Sequence, residues 1–234
     1  MDGIHRFSLT IVVALMLVSG ASCAHAQDAS RAVEGGGISV PGWTGRIDPK
    51  ELAGGEKLGN ARLAMEGDAL HVTTGPAVAY WNPDNTARGN YTVKATFKEA
   101  KYMNRNSHPH PYGIFIAGTD MGSDRQSYLY CAAYGNGTFI VRGFGPVPFQ
   151  MNGRGSTSSA VKRATGPGEP VTQEIALSVK DNKVECAISG TVVASYDKSK
   201  LVVDGKLTST DGVYGIRFAH NTEALVTGLT MKSR

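Results

Sequence analysis

The chain has 234 residues, of which 41% are hydrophobic and 19% are charged, and its formal net charge is +4 at pH 7. Its lysines and arginines are scattered, with no run longer than Lys162-Arg163. A nucleic-acid-binding surface instead clusters basic residues among aromatic ones. We therefore expect no nucleic-acid partner.

The first 26 residues have the pattern of a cleavable signal peptide. Arg6 precedes an apolar run over residues 9–18, and Ala24-His25-Ala26 forms a small-x-small cleavage site. The run is shorter than the ~20 residues that a membrane span needs, and no later segment is longer, so we expect no membrane span. An alternative is lipid attachment at Cys23, but Gly20 stands where such signals have an apolar residue. The pattern predicts a secreted or periplasmic protein.

The rest of the chain fits one domain. Residues 27–42 contain Gly35-Gly36-Gly37 and are predicted to form a flexible lead-in. Residues 43–234 have the size of a single β-sandwich domain, which commonly reaches about 200–250 residues.

A short helical turn is predicted at residues 48–53. After it, apolar and polar residues alternate with a period of two. The clearest case is residues 90–98, where Tyr91 and Phe97 share one face and Lys94 and Lys98 share the other. This alternation is typical of a half-buried antiparallel strand.

Further strands are predicted along the whole chain, and Gly135-Asn136-Gly137 has the residues of a tight hairpin turn. The predicted strands cover residues 69–73, 77–81, 112–117, 127–134, 138–142, 175–180, 183–189, 191–196, 213–219 and 225–232. Many short strands with almost no helical period predict an all-β, two-sheet antiparallel sandwich. The long Gly-, Pro- and Ser-rich loop over residues 143–168 is either functional or a decorated connection.

Two cysteines, Cys131 and Cys186, remain after signal cleavage. Each lies on the apolar face of its predicted strand, so both are expected to point into the core. In an exported protein they form either a disulfide or two buried thiols, and the sequence leaves this choice open.

The aromatic strand provides the strongest indication of a ligand site. Tyr128, Tyr130 and Tyr134 lie on the face opposite Cys131, and Arg142 follows one hairpin later. Exposed tyrosine rings would stack on a sugar, and the guanidinium would donate to hydroxyls or a carboxylate. Alternatively, the tyrosines form a second small core beneath the loop of residues 143–168.

The histidines are the other candidate ligand-binding residues. His108 and His110 share a Pro-rich loop, and His220 follows the strand of residues 213–219. Asp120 and Asp124 are possible oxygen donors, but they lie on a separate loop. Because two histidines make only half of a zinc site, we favour a solvated loop and a rim histidine, and expect no metal and no cofactor.

Six segments together form a recognisable pattern: Trp81-Asn82-Pro83, residues 89–93, residues 112–115, Tyr128-x-Tyr130, residues 186–190 and residues 211–220. The pattern resembles the concanavalin A-like lectin/glucanase superfamily, and the chain's ending resembles that of exported 3-keto-disaccharide hydrolase-type domains. The resemblance spans about residues 43–232 and implies a jelly roll of two curved sheets that acts on or binds carbohydrate. Fold-level resemblance of this kind does not define an activity.

One departure from the superfamily bears on function. Laminarinase-type glucanases carry an E-x-D-x-x-E motif on one strand, and this chain has none. We therefore favour a non-catalytic carbohydrate-binding domain with the glycan on a concave sheet face. The alternatives are an enzyme of the 3-keto-disaccharide hydrolase type, in which the histidines act with a carboxylate, and a structural envelope protein.

Overall fold

The structure is a computed structural model that describes Met1 and residues 29–103, 108–153 and 155–233. Within these residues, sixteen strands form two eight-stranded sheets. The predicted all-β sandwich is confirmed. The predicted signal peptide lies outside the described residues apart from Met1. No helix in the described part of the chain has the length and apolarity needed to cross a membrane.

The strands have two to eleven residues, and the described residues also contain two short α-helices and one 3₁₀ helix (Leu58–Asn60). The α-helices are α1 (Pro49–Ala53), which matches the predicted helical turn, and α2 (Lys198–Leu201). In chain order the strands are β1 (Gly37–Ile38), β2 (Thr44–Ile47), β3 (Ala61–Glu66), β4 (Ala69–Thr74), β5 (Val78–Ala87), β6 (Tyr91–Glu99), β7 (Tyr112–Thr119), β8 (Ser127–Ala133), β9 (Thr138–Phe144), β10 (Pro148–Gln150), β11 (Ser156–Thr157), β12 (Val171–Lys180), β13 (Lys183–Ile188), β14 (Thr191–Asp197), β15 (Gly212–Phe218) and β16 (Glu223–Ser233).

Neighbouring strands in each sheet are often distant in the sequence. Sheet A has the order β1-β3-β4-β16-β6-β12-β13-β14. Sheet B has the order β10-β9-β8-β7-β15-β5-β2, and β11 also pairs with β9. The chain therefore passes repeatedly between the sheets, as a jelly roll requires.

The core lies between the sheets and follows the period-two pattern. Phe97 of β6 is fully buried, whereas Lys94 and Lys98 are exposed, as the alternation predicts. The Phe97 ring packs on Tyr112 of β7 at 5.5 Å and on Phe218 of β15 at 6.0 Å between ring centroids. These contacts join sheet A to sheet B through aromatic side chains.

The two cysteines form a disulfide across this core. Cys131 lies on β8 of sheet B and Cys186 on β13 of sheet A, with their Cα atoms 6.1 Å apart. Both side chains are buried, as their strand parity predicts. The bridge closes a loop with a sequence separation of 55. The chain-entropy model gives such a loop about 4 kcal/mol of stabilisation.

Two segments have more structure than the sequence suggests. In the lead-in, β1 pairs in parallel with β3, and the Arg31 guanidinium donates to the backbone oxygens of Thr74 and Thr222 at 2.8 and 3.0 Å. In the long loop of residues 143–168, β10 and β11 lie beside β9. Strands of two or three residues are too short to show a period, so the sequence does not reveal them.

Candidate functional site

The predicted tyrosines lie on the outer face of sheet B, away from the sandwich core. Tyr128 and Tyr130 belong to a second apolar cluster, while Cys131 belongs to the main core. Tyr134 is half-buried and packs against this second cluster. The alternation of β8 therefore predicts the correct face for all three tyrosines.

The pairing register aligns several of these side chains in one row across sheet B. Tyr130 is opposite Arg142 on β9 and Phe115 on β7, and Arg142 is opposite Gln150 on β10. On the other side of Phe115 the row continues through Gly215 to Trp81. We call Gln150, Arg142, Tyr130, Phe115 and Trp81 the cross-strand row.

Most of the cross-strand row is buried, which corrects one expectation. Tyr128 is 1% exposed, Tyr130 8% and Trp81 6%, so these rings are not an open platform for a sugar. The tyrosines instead form the second core that the sequence analysis gave as the alternative. The long loop contributes Phe144 to this cluster, and its other segments run along the edge of the sheet.

The accessible end of the row is formed by polar side chains. Arg142 is half-buried and donates from Nη2 to Oε1 of the exposed Gln150 at 2.6 Å. Burial raises the pKa of the Tyr130 hydroxyl, and the cations of Arg217 and Arg142 oppose that rise. Tyr130 is therefore the buried cross-strand neighbour of the half-buried Arg142.

Arg217 of β15 is a site residue that the sequence analysis missed. Its Cζ lies 5.5 Å from the centre of the Tyr130 ring, and its Nη2 donates to Oδ2 of Asp48 at 2.6 Å. Burial raises the pKa of Asp48 despite this cation. Burial also opposes the charge on Arg217, but Asp48 holds the Arg217 pKa above its usual range. A lone arginine between the core residues Ile216 and Phe218 was the signal for an outward cation.

Arg46 completes a set of three arginines on the outer face of sheet B. It is paired in register with Ala79, a member of the second cluster, and its Nη2 bonds to Asp124 at 2.5 Å. Among the described residues, the Nε atoms of Arg46, Arg142 and Arg217 are buried and have no hydrogen-bond acceptor. Buried donors are normally satisfied, so three such atoms on one face require an explanation.

The three candidate histidines converge at one end of the sandwich. Phe218 of β15 pairs with Tyr112 of β7, and the backbone N–H of Ala219 donates to the Pro111 oxygen at 2.9 Å. This register places His220 opposite His110, two residues beyond the last pair. His108 precedes His110 by two residues and shares its parity.

The geometry of this histidine cluster is compact. The ring centroids of His110 and His220 are 3.9 Å apart, and those of His108 and His110 are 4.3 Å apart. One ring nitrogen from each of the three lies within 4.8 Å of the others. His108 is exposed, but His110 and His220 are each 8% exposed, so the expectation of a solvated loop is wrong for His110.

Asp120 and Asp124 do not join the histidines. Asp120 follows β7 at its far end, whereas His110 precedes β7, and Asp120 pairs with Arg125 at 3.9 Å. Asp124 bonds to Arg46. The enzyme alternative needs the histidines to act with a carboxylate, and neither Asp120 nor Asp124 lies at the histidine cluster.

Glu99 is a buried acid at the same end as the histidines, and the sequence analysis missed it. It ends β6 on the core-facing parity of Phe97 and is 8% exposed. Burial raises its pKa to about 7, although the nearby Tyr112 hydroxyl favours the carboxylate. Glu99 falls on the same side of the β6 alternation as Tyr91 and Phe97, and this position indicates in the sequence that its side chain faces the core.

No protein-family model and no curated protein sequence matches the chain. Solved structures match its fold. A carbohydrate-binding module, CBM66 from Bacillus subtilis, has a TM-score of 0.56 and 7% identity, covering 84% of this chain and 99% of that one. A Bacillus subtilis protein of unknown function with a galectin-like fold has a TM-score of 0.55 and 12% identity, covering 82% and 89%. The fold is therefore a two-sheet jelly-roll sandwich, as the sequence predicted, and the likeness to these structures extends to the fold alone.

Proposed function

We propose that this chain is an exported carbohydrate-binding domain that recognises a glycan on the outer face of sheet B. The signal-peptide pattern supports export, and the Cys131–Cys186 disulfide fits an oxidising compartment. The fold is shared with a carbohydrate-binding module, although the low identity extends that likeness to the fold alone.

The observation that carries the proposal is the group of three arginines on the outer face of sheet B. Arg46, Arg142 and Arg217 come from three different strands, and their Nε atoms find no acceptor in the described part of the chain. A buried donor without a partner costs about 1–3 kcal/mol. These Nε atoms are closed to solvent, so the contact that we propose is made by the guanidinium of the half-buried Arg142. A ligand rich in hydroxyl and carboxylate oxygens supplies acceptors for it, and a glycan is a ligand of this kind.

Arg142 is the residue that we assign to direct contact. Arg142 is half-buried, and among the described residues its guanidinium has no carboxylate partner. By contrast, Arg46 pairs with Asp124 and Arg217 with Asp48. A planar guanidinium binds a carboxylate through two parallel hydrogen bonds. We therefore expect glycans that contain acidic sugars to bind more tightly than their neutral counterparts.

The test is a glycan array followed by calorimetric titration of the best ligand. The full chain is expressed with its own leader, and the purified product is used. We expect it to bind glycans, with acidic glycans bound most tightly. Arg142→Ala should weaken binding by about 10- to 100-fold, the equivalent of one charge-assisted hydrogen bond at 1.5–3 kcal/mol.

The matched control is Lys94→Ala, which removes an exposed cation from sheet A. It should leave glycan affinity unchanged. The proposal is wrong if no glycan binds, or if Arg142→Ala and Lys94→Ala bind the best ligand equally well.

A further inference from the structure

We propose that His108, His110 and His220 together bind one divalent transition-metal ion, with Zn²⁺ as the physiological candidate. This site goes beyond the proposed glycan site and does not depend on it. Of the six histidines in the chain, two lie in the predicted signal peptide, His71 lies on β4, and the remaining three form this cluster.

The fold brings two of the ligands together through backbone pairing. His110 lies two residues before β7 and His220 two residues after β15, and the antiparallel pairing of these strands sets the two residues opposite each other. The Thr222 hydroxyl donates to the His220 backbone oxygen at 3.1 Å, and the Thr74 hydroxyl donates to the Ala219 oxygen at 2.7 Å. These bonds fix the backbone that carries His220.

The third ligand comes from the segment that leads into β7. His108 and His110 are two residues apart in a Pro-flanked stretch, and their ring centroids lie 4.3 Å apart, so the two rings occupy the same side. The three rings are mutually tilted by 53–65°, which excludes a parallel stack. His108 is exposed, so its side chain is able to adjust its position.

The distances are close to those of a three-histidine metal site. Tetrahedral Zn²⁺ with Zn–N bonds of 2.0–2.1 Å holds its nitrogens about 3.4 Å apart. One ring nitrogen of each histidine already lies within 4.8 Å of the others, so a contraction of about 1.4 Å or less completes the set. Imidazole is a preferred ligand of Zn²⁺, Cu²⁺ and Ni²⁺. Three protein ligands leave a fourth position for water or another ligand.

His71, which lies outside the proposed metal site, has a different environment. Its two ring nitrogens face carboxylates, with Nδ1 2.8 Å from Glu66 and Nε2 3.1 Å from Glu223. His71 therefore sits in an ion-pair arrangement, whereas the proposed site gathers three imidazoles. His71→Gln is the matched control variant, because it removes a partly buried histidine from outside the site.

The experiment uses the full chain, expressed with its own leader and purified without a polyhistidine tag. The protein is stripped with a chelator, then titrated with Co²⁺ by visible absorption and with Zn²⁺ by calorimetry. The expected result is one equivalent of bound metal and the intense visible bands of four-coordinate Co²⁺. His108→Gln and His220→Gln should each weaken Zn²⁺ binding by more than roughly 100-fold, beyond the loss caused by removing a ligand's hydrogen-bond partner.

The His71→Gln variant should bind Zn²⁺ like the wild type. Circular dichroism shows whether each variant is folded, and the exposed position of His108 keeps the test valid if His220→Gln does not fold. The assignment is overturned if the wild type binds no stoichiometric metal, or if His108→Gln binds Zn²⁺ as tightly as the wild type. Glycan is absent from the assay, so failure here leaves the glycan proposal intact.

Discussion

Tyr128 shows how a residue outside the main core contributes to folding. Its ring lies 5.1 Å from the rings of both Phe115 and Phe144, and the side chain is 1% exposed. We expect Tyr128→Ala to lower the free energy of unfolding by about 3–5 kcal/mol, the range for a buried aromatic truncated to alanine. Urea unfolding monitored by fluorescence measures this loss.

The control for Tyr128→Ala is Lys98→Ala on an exposed position of β6, which should lie within about 0.5 kcal/mol of the wild type. Equal stability of the two variants would show that the second cluster contributes nothing to folding.

Glu99 makes stability depend on pH. Burial raises its pKa from 4.5 to about 7, so the folded state favours the protonated form. The charged Glu99 carboxylate lowers the free energy of unfolding. This loss is absent below pH 4.5, grows as the pH rises towards 7 and is complete above pH 7. At about 1.4 kcal/mol per pKa unit, it reaches roughly 3 kcal/mol.

We therefore expect Glu99→Gln to be about as stable as the wild type at pH 5 and more stable by roughly 2–3 kcal/mol at pH 8. Denaturant unfolding at the two pH values, with chelator present, measures the difference. The same stability offset at both pH values would contradict a buried titrating carboxyl.

At the residue level, strand parity predicts which face a side chain occupies but not how deeply it is buried. The parity of β8 placed Tyr128 and Tyr130 opposite Cys131. Their burial depends on neighbours such as Phe115 and Phe144, which come from other strands and become neighbours only through pairing. The sequence therefore supported an exposed platform and a second core equally.

At the scale of elements, β7 depends on a close backbone approach to β8. A Cβ built on Gly113 would lie 1.9 Å from the Cys131 oxygen and 2.7 Å from the Ala132 Cα, both of which are backbone atoms. Real Cβ atoms do not approach backbone so closely, so the strands must separate to accept a side chain. We expect Gly113→Ala to lower the melting temperature substantially or to prevent folding.

The matched control is Gly122→Ala in the loop after β7, where an added Cβ meets nothing within 4 Å. It should melt within a degree or two of the wild type, because surface changes stay within about 0.5 kcal/mol. If Gly113→Ala melts at the same temperature as Gly122→Ala, the pairing of β7 with β8 is not as described.

The elements themselves were predictable where they were long. β6, β8, β12 and β15 show a clear period or turn signals at their ends, whereas β1, β10 and β11 have two or three residues. The histidine cluster was not predictable for a different reason. It depends on the register between β7 and β15, whose sequences are about a hundred residues apart, and no local pattern specifies such a pairing.

On the scale of the whole molecule, the two candidate sites are separate. Phe115 of the cross-strand row lies five residues along β7 from His110. That distance is about 16 Å at roughly 3.3 Å per residue. The cross-strand row also lies on the outer face of sheet B, whereas His110 and His220 follow the inward parity of Tyr112 and Phe218. A metal at the histidines would therefore not contact a glycan bound at Arg142.

Nuclear magnetic resonance can show directly whether a glycan binds on the outer face of sheet B. The ¹⁵N-labelled protein is titrated with the best array ligand, and backbone amide shifts are mapped onto the strands. We expect the largest shifts to cluster in β8, β9 and β10 around Arg142 and to be absent from β13 and β14. Largest shifts in β13 and β14 of sheet A, or at His108 and His110, would contradict this expectation.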